Sequence, residues 1–353
     1  MHLPTPDFSA APLRCVAGLR PYRAGSYRLE RDPGAHPGKL IVHNYGYGGG
    51  GITVSWGCAN RVGEIVQALA SPTDKKAAVL GSGVIGMTTA TLLLEHGFSV
   101  TVYAEKTWDQ TTSSVAGGQW SPTRVEFTGK QEEFKGILKY AYTRFRSSIG
   151  QGFGVSERPN YFGSPSLHLD TVMALLPGMM PPRKQIDPLP FEHHTNIGYV
   201  YQTLLVEPPI FLARLDRDLR ANNVQFVSRK FSSVADVLSL QENIIVNCTG
   251  LGSKNIWPDK ALKPIKGQLA LLPPQPQLQY LYGQNGYMFP RTDAVVIGGS
   301  YETDFTTAAA DPPFCQLLVD YMKGLFGKGP EIPIPVEHVH HPSNAPNIAG
   351  AGV

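Results

Sequence analysis

The stretch Ala77–Glu105, AAVLGSGVIGMTTATLLLEHGFSVTVYAE, decides the fold. A short apolar run, Ala77 to Leu80, meets Gly81, Gly83 and Gly86; an apolar segment continues to His96 and stops at Gly97; a second apolar run, Phe98 to Ala104, is followed at once by Glu105. That order predicts a strand, a tight turn, a helix and a parallel strand. Gly81 permits the sharp turn off the strand, and Gly83 lets a pyrophosphate approach the main chain. Val84 and Ile85 open a helix whose N-terminus holds negative charge, and Gly86 lets that helix pack closely on the sheet. Glu105, about 20 residues on, can accept hydrogen bonds from a ribose diol. A carboxylate there argues against a 2′-phosphate. A glycine turn alone could be a structural connector; with both strands, the helix and the acid in place the stretch predicts dinucleotide binding.

The rest of the chain bounds what surrounds this unit. Its 353 residues allow one large domain or two smaller ones, and 42% apolar with 17% charged residues is ordinary for a globular protein. A net charge of +3, with no dense Lys/Arg run, excludes nucleic acid as the main partner. Cys15, Cys58, Cys248 and Cys315 form no CxxC pair, which indicates neither a zinc site nor a disulfide framework and fits a reducing compartment. No secretory pattern and no apolar run near the roughly 18 residues of a membrane span is visible, so a soluble, cytoplasmic protein is expected.

Working outward, Lys39–Ala59 reads KLIVHNYGYGGGGITVSWGCA: a short strand, Leu40 to Val42, then a glycine loop, then a helical pattern from Ile52 to Leu69. So many glycines cost backbone entropy, which predicts main chain exposed to a close ligand. The polar hinge Ser71–Lys76 leads directly into the fingerprint. Upstream, GLRPYRAGSYRLERD carries Arg20 between an apolar residue and a proline, where a guanidinium fork would be rigid enough to grip a carboxylate; Arg23 and Arg31 are expected in solvent. Downstream, TTSSVAGGQWSP (Thr111–Pro122) suggests chain lying on a flat aromatic ligand. Phe134, Leu138, Ala141 and Phe145 repeat at helical spacing, and Gly150–Met180 reads as loop-rich. Further elements are a strand over Val200–Val206, a helix over Pro208–Asn222, strands Val224–Val227 and Leu269–Leu272, the strand NIIVNCTG leading to Thr249 and Gly250, a hairpin over Gly286–Gly299 that begins with Tyr287, and a helix over Phe314–Phe326. The pair His193 and His194 should have at least one ring in solvent, since neighbours on an extended chain point to opposite faces. His338, His340 and His341 lie in a proline-rich tail without nearby carboxylates and are not expected to bind metal.

These pieces together resemble the D-amino acid oxidase family of flavoenzymes. The similarity rests on VLGSGVIGMTTA, TTSSVAGGQWSP, IIVNCTG, GYMFPR with VVIGG, GLRPYR with RLER, and above all IVHNYGYGGGGITVSWGCA. In the family the fingerprint begins the chain, and the GLRP and HNYG segments close it. Here those two come first, so the chain resembles a circular permutant cut between the Phe314–Phe326 helix and the Leu13 strand, a change tolerated when the old termini are close.

The resemblance implies an α/β fold, with a Rossmann-like FAD-binding domain (39–125 and 223–262), a mixed-sheet substrate-binding domain (13–38, 126–222 and 263–327) and terminal arms (1–12 and 328–353). It implies FAD as cofactor. The fingerprint glycines and Glu105 would take the AMP half, while Val115, Ala116, Gly117 and Gly118 would lie along the isoalloxazine; Thr111 and Thr112 would also bind the cofactor, and Thr249 and Gly250, at the end of a strand beside the fingerprint sheet, would lie near it. Main-chain groups of Gly48, Gly50, Gly51 and Ile52 and the Thr53 hydroxyl would meet the flavin carbonyl-2 end. Arg20 is similar to the arginine that binds the substrate carboxylate and Tyr287 to the tyrosine that donates to it, with the Gly49 carbonyl accepting from the α-amine. The implied reaction passes the Cα hydride of a D-amino acid to flavin N5, and oxygen then yields peroxide, ammonia and a 2-oxo acid. The implied partners are the small-molecule substrate and O2, with a homodimer left open. The short segment QYLYGQNG (Gln279–Gly286) replaces a tyrosine-bearing lid, with Tyr280 and Tyr282 as substitutes. A D-aspartate oxidase would call for a second cation, from Arg291 or Arg124. A glycine oxidase and a non-catalytic flavin-binding scaffold complete the rival readings.

Overall fold

The computed structural model describes residues 2–11, 13–34, 36–192, 194–303 and 305–333. In chain order the elements are β1 (Arg14–Arg23), β2 (Arg28–Arg31), β3 (Leu40–Tyr45), α1 (Gly51–Leu69), β4 (Lys76–Leu80), α2 (Val84–Glu95) and β5 (Ser99–Ala104). Then come α3 (Gln131–Ser147), β6 (Val155–Phe162), α4 (Leu167–Leu175), β7 (Lys184–Ile186), β8 (Gly198–Val206), α5 (Pro208–Ala221) and β9 (Gln225–Ser228). The last third holds α6 (Val234–Leu238), β10 (Ile244–Asn247), α7 (Ser253–Ile256), β11 (Leu262–Leu272), β12 (Leu281–Gln284), β13 (Gly286–Pro290), β14 (Val295–Gly298) and α8 (Pro312–Leu325).

A six-stranded sheet runs in the order β2-β3-β10-β4-β5-β9. All its pairings are parallel except that of β2 with β3. Both faces are covered, which is why β4 reads as an unbroken apolar run. Ala77 and Val79 belong to the core shared with α1, α2, α3 and α5, and Ala78 and Leu80 to the core under α6 and α7. On α2 the buried Met87, Leu92 and Leu93 face that first core, each contributing about 1.5–3 kcal/mol by leaving water. Gly97, with φ +80°, ends the helix as expected. A Cβ at Gly57 would collide with the Ile137 backbone, so α1 and α3 cross at a glycine.

An eight-stranded mixed sheet runs in the order β1-β11-β14-β13-β12-β6-β8-β7. Its outer face packs on α8 through Ala270, Met288, Val295 and Ile297. Residues 28–31, within the segments expected in the substrate-binding unit, form β2 on the other sheet. Gly150–Met180, expected as loop, holds β6 and α4. The apolar periodicity of β6 is broken because one of its faces carries Ser156, Arg158 and Asn160.

Arg23, expected in solvent, pairs through Nε with the buried Asp259 carboxylate at 2.8 Å. His194 shares a hydrogen bond with the Tyr282 hydroxyl at 3.2 Å and packs against Phe191 and Phe326; His193 and the three tail histidines lie outside the described residues. The arm before β1 is held in place: the Leu3 N–H donates to Pro190 O and the Tyr280 hydroxyl to Pro4 O, both at 2.7 Å.

The cysteine expectation also changes. Cys15 on β1 and Cys315 on α8 form a disulfide across a sequence separation of 300, a pairing that linear spacing cannot reveal. By closing so long a loop it stabilises the fold by about 2–5 kcal/mol. Cys15→Ser, or reduction with dithiothreitol, is expected to lower the unfolding free energy extrapolated from urea by that amount, and the urea midpoint with it, while leaving the visible spectrum of bound flavin unchanged; equal midpoints with and without reductant would count against a stabilising cross-link.

Candidate active site

The C-terminal ends of β3, β4 and β10 and the inner face of the eight-stranded sheet enclose a cavity of about 980 Å³. Gly81 turns off β4 with φ +110°, and a Cβ there would come within 2.6 Å of Cys248 O. A Cβ at Gly86 would collide with Gly81 O, so Gly86 serves helix packing and does not line the cavity. Gly83, Val84, Ile85 and Glu105 do line it. Neither α1 nor α2 has a side-chain N-cap or an acidic residue in its first turn. Two positive helix ends therefore meet the same cavity.

The sheet register brings the expected substrate residues together. Arg20 on β1 lies two residues from Gly18, which stands opposite Gly267; Leu269 stands opposite Gly298, Gly298 opposite Tyr287, and Tyr287 opposite Gly283. Opposed residues share a face, so Arg20 and Tyr287 both look into the cavity. Each large side chain leans over a glycine on its neighbouring strand. A Cβ on Gly267 would collide with the Arg20 guanidinium, and one on Gly298 would come within 2.5 Å of the Tyr287 hydroxyl. Arg20 is anchored by donating from Nη1 to Ser300 O at 3.0 Å. Burial raises the Tyr287 pKa, against the pull of Arg20 and Arg291, so Tyr287 remains a phenol and a donor at neutral pH.

The glycine loop after β3 belongs to the other sheet, yet its Gly48 N–H donates to Pro21 O at 2.9 Å. That bond sets Gly49 beside Arg20, whose Cδ would be 3.9 Å from a Cβ on Gly49. Gly51 and Ile52 line the cavity; Gly50 instead packs against Pro122 and Val125. Thr53 differs from expectation in its hydroxyl, which donates to Ser121 O at 2.8 Å and accepts from Ser121 N at 3.0 Å. Thr111, Thr112, Val115, Ala116, Gly117 and Gly118 form another wall, pinned by Thr112 Oγ1 donating to Leu19 O and by Arg291 donating to Ala116 O at 2.9 Å.

Several contributors are not visible as motifs. Arg291, a candidate second cation, is buried outside the cavity lining and clasped twice by Asp293 at 2.8 Å. Tyr280 and Tyr282 do not cover the site; they belong to the outer core with Phe191, one residue out of phase with Gly283. Ser164–His168, at the start of α4, line the cavity instead. Behind the cofactor turn runs a buried chain: His43 donates from Nε2 to Asp32 at 2.6 Å, Asn247 Nδ2 donates to His43 Nδ1 at 3.1 Å, and the Thr249 hydroxyl donates to Asn247 Oδ1 at 2.7 Å. Thr249 and Gly250 reach the cavity through this network.

The sequence matches the family described as FAD dependent oxidoreductase over residues 76–343. This chain belongs to that family. It is 28% identical over 256 residues to the D-amino-acid oxidase of Streptomyces coelicolor, covering 70% of this chain and 76% of that protein. It is 25% identical over 232 residues to the D-aspartate oxidase of Homo sapiens, covering 63% and 67%. The glycine oxidase structure from Bacillus cereus aligns with a TM-score of 0.53 at 15% identity, covering 71% and 79%. An L-amino acid deaminase from Proteus vulgaris with its specific insertion deleted aligns at 0.53 and 13%, covering 73% and 76%; both structures share the fold. Among the described residues no helix is long and apolar enough to cross a membrane.

FAD is the cofactor of this flavoprotein family, and the residues fit it. The two open helix N-termini suit a diphosphate and a ring that gains negative charge. An added Cβ at Gly51 would meet nothing nearer than 3.9 Å, so main chain lies open to the cavity there, whereas one at Gly83 would press on the Ser113 hydroxyl at 3.3 Å.

Gly298→Ala should displace the Tyr287 hydroxyl from its place over the glycine while flavin content stays near wild type, and a variant crystal structure with Tyr287 unmoved would defeat the account. The buried network predicts a pH effect. Burial, only partly offset by Asp32, holds the His43 pKa below 6.5, so unfolding binds a proton that the folded state refuses. Stability should fall as pH drops below about 6.5, and His43→Gln should flatten that fall in melting temperature between pH 7.5 and 5.5; an unaltered slope removes His43 as its source.

Proposed function

We propose that the protein catalyses oxidative deamination of D-amino acids, in which the amino acid, O2 and water give a 2-oxo acid, ammonium and hydrogen peroxide. The observation that carries this reading is the convergence of Arg20, Tyr287 and Gly49 on one end of the flavin cavity. Arg20 receives the α-carboxylate through its planar fork, and the Tyr287 phenol donates to the same group. The Gly49 carbonyl accepts from the α-amine. Three contacts around Cα select one enantiomer and hold its hydrogen in line for transfer. FAD, when bound by the fingerprint and glycine loops, would supply the hydride acceptor and the redox link to oxygen. The protein's own part is orientation and exclusion of water, with no side chain required as base.

The six-stranded sheet and its helices (39–125 and 223–262, with β2) would hold FAD, and the eight-stranded sheet the substrate. Permuted order is supported by the family match, which begins at residue 76 and leaves the GLRP and HNYG segments upstream. It is supported too by the adjacency of α8 and β1 across the Cys15–Cys315 bond. A shared face for Arg20 and Tyr287 favours catalysis over an inert scaffold.

Peroxide formation should follow addition of D-alanine, D-valine or D-aspartate, and not of their L-enantiomers. Arg20→Ala should lower kcat/KM by about 30- to 3000-fold, as for truncating one partner of a buried charge pair. Equal turnover of both enantiomers, or none with any D-amino acid, would sink the proposal.

A further inference from the structure

Arg20 leans on a break in the eight-stranded sheet. The ladder between β11 and β14 ends with Leu269 opposite Gly298, and pairing resumes where Lys266 stands opposite Glu302. Lys266 precedes Leu269 by three residues, whereas Glu302 follows Gly298 by four. One extra residue is therefore accommodated within Gly299, Ser300 and Tyr301. This is a β-bulge, which bends a strand and re-aims its groups and is concentrated beside active sites. Gly299 makes the bend with φ +139°. A Cβ there would come within 2.8 Å of Gly286 Cα, on the residue before Tyr287.

The bulge changes which oxygen serves which donor. The Gln268 N–H donates to the Ser300 side chain, to Oγ at 2.6 Å. The Ser300 carbonyl faces Arg20, whose Nη1 donates to it at 3.0 Å. Among the described residues that carbonyl is the only hydrogen-bond acceptor of the guanidinium. The orientation of the fork thus depends on where the bulge holds one oxygen.

A buried network holds it. Lys266, Gln268, Ser300 and Glu302 are all buried. The Gln268 amide donates from Nε2 to Glu302 Oε1 at 3.0 Å and accepts from the Asp311 N–H at 2.6 Å. Lys266 Nζ stands 3.5 Å from Glu302 Oε2 and balances the buried carboxylate. With its main-chain N–H and both ends of its amide engaged, Gln268 grips the chain at 300, 302 and 311. Paired networks of this kind rigidify what they hold.

We propose that Gln268 is a positioning residue, which clamps the bulge so that Ser300 O sets the plane of the Arg20 guanidinium and leaves its remaining N–H groups for the substrate carboxylate. Gln268 does not itself line the cavity, so it acts through Arg20. The proposal rests on the function proposed above only in taking Arg20 as the carboxylate site.

Butyrate, which has a carboxylate and no amine to oxidise, reports on the fork through perturbation of the flavin spectrum of the holoenzyme. Gln268→Met keeps the side-chain length and removes the amide. It should weaken butyrate binding about tenfold in the wild-type background and less than about twofold in Arg20→Ala, the coupling expected of residues in one hydrogen-bond network. With D-alanine, kcat/KM should fall by a similar factor, carried by KM, at unchanged flavin content. Ser300→Ala should show the same dependence on Arg20, and it decides the matter should Gln268→Met fail to fold. Equal weakening in both backgrounds would mark a purely structural role and overturn the proposal, as would undiminished binding in Gln268→Met or no binding of butyrate by the wild type. Coupling in butyrate binding without turnover of any D-amino acid would uphold the clamp and defeat the proposed reaction alone.

Discussion

The guanidinium of Arg20 lies flat across Gly267, and the architecture of the cavity depends on that contact being allowed. An alanine at 267 would drive the fork off the sheet face, away from Ser300 O and from Tyr287. The same device recurs two strands over, where the Tyr287 ring leans over Gly298, and again where Phe162 leans over Gly283. A close-packed sheet face is thereby hollowed along one line. The side chains that border the hollow are held by register and not by loops, which gives the precision that orientation-driven chemistry requires.

The second constraint joins the two sheets. The Gly48 N–H to Pro21 O bond ties the glycine loop of the six-stranded sheet to the strand that carries Arg20. From that tie follow the position of Gly49, the approach of the Thr123–Arg124 main chain to the loop, and the direction in which α1 presents its positive end. Polar groups behind the surface are spent on support: Arg291 on Ala116, Thr53 on Ser121, and the Asp32–His43–Asn247 chain on Thr249. Such satisfied networks keep the walls from collapsing inward when the cavity is open.

In the proposed permuted order, the connection from α1 to β4 runs over a short polar hinge, while the Cys15–Cys315 bond and the packing of Phe8 on Phe326 gather the start of β1 and the end of α8 into one core. Pairing of β1 with β11 along Arg14–Arg23 and the cross-link to α8 fix the strand that carries Arg20.

Sequence alone determined the nucleotide-binding unit, because strand, turn, helix and strand are contiguous there and each glycine answers a local steric demand. It marked the glycine loop by its own pattern, and Arg20 and Tyr287 through the family resemblance that their surrounding segments carry. Only the tertiary structure decided what depends on alignment between distant strands: the disulfide, the burial of Tyr280 and Tyr282 on the far face, the commitment of Arg291 and Thr53 to main-chain partners, and the placing of Arg124 and His168 on the cavity lining. In β6 the sequence hid a strand, since Ser156, Arg158 and Asn160 present a polar face to the protein interior. A side chain's phase on its strand follows from local spacing, but which other strand lies opposite is set by loop closure and packing over hundreds of residues, and no stretch of neighbouring letters encodes that register.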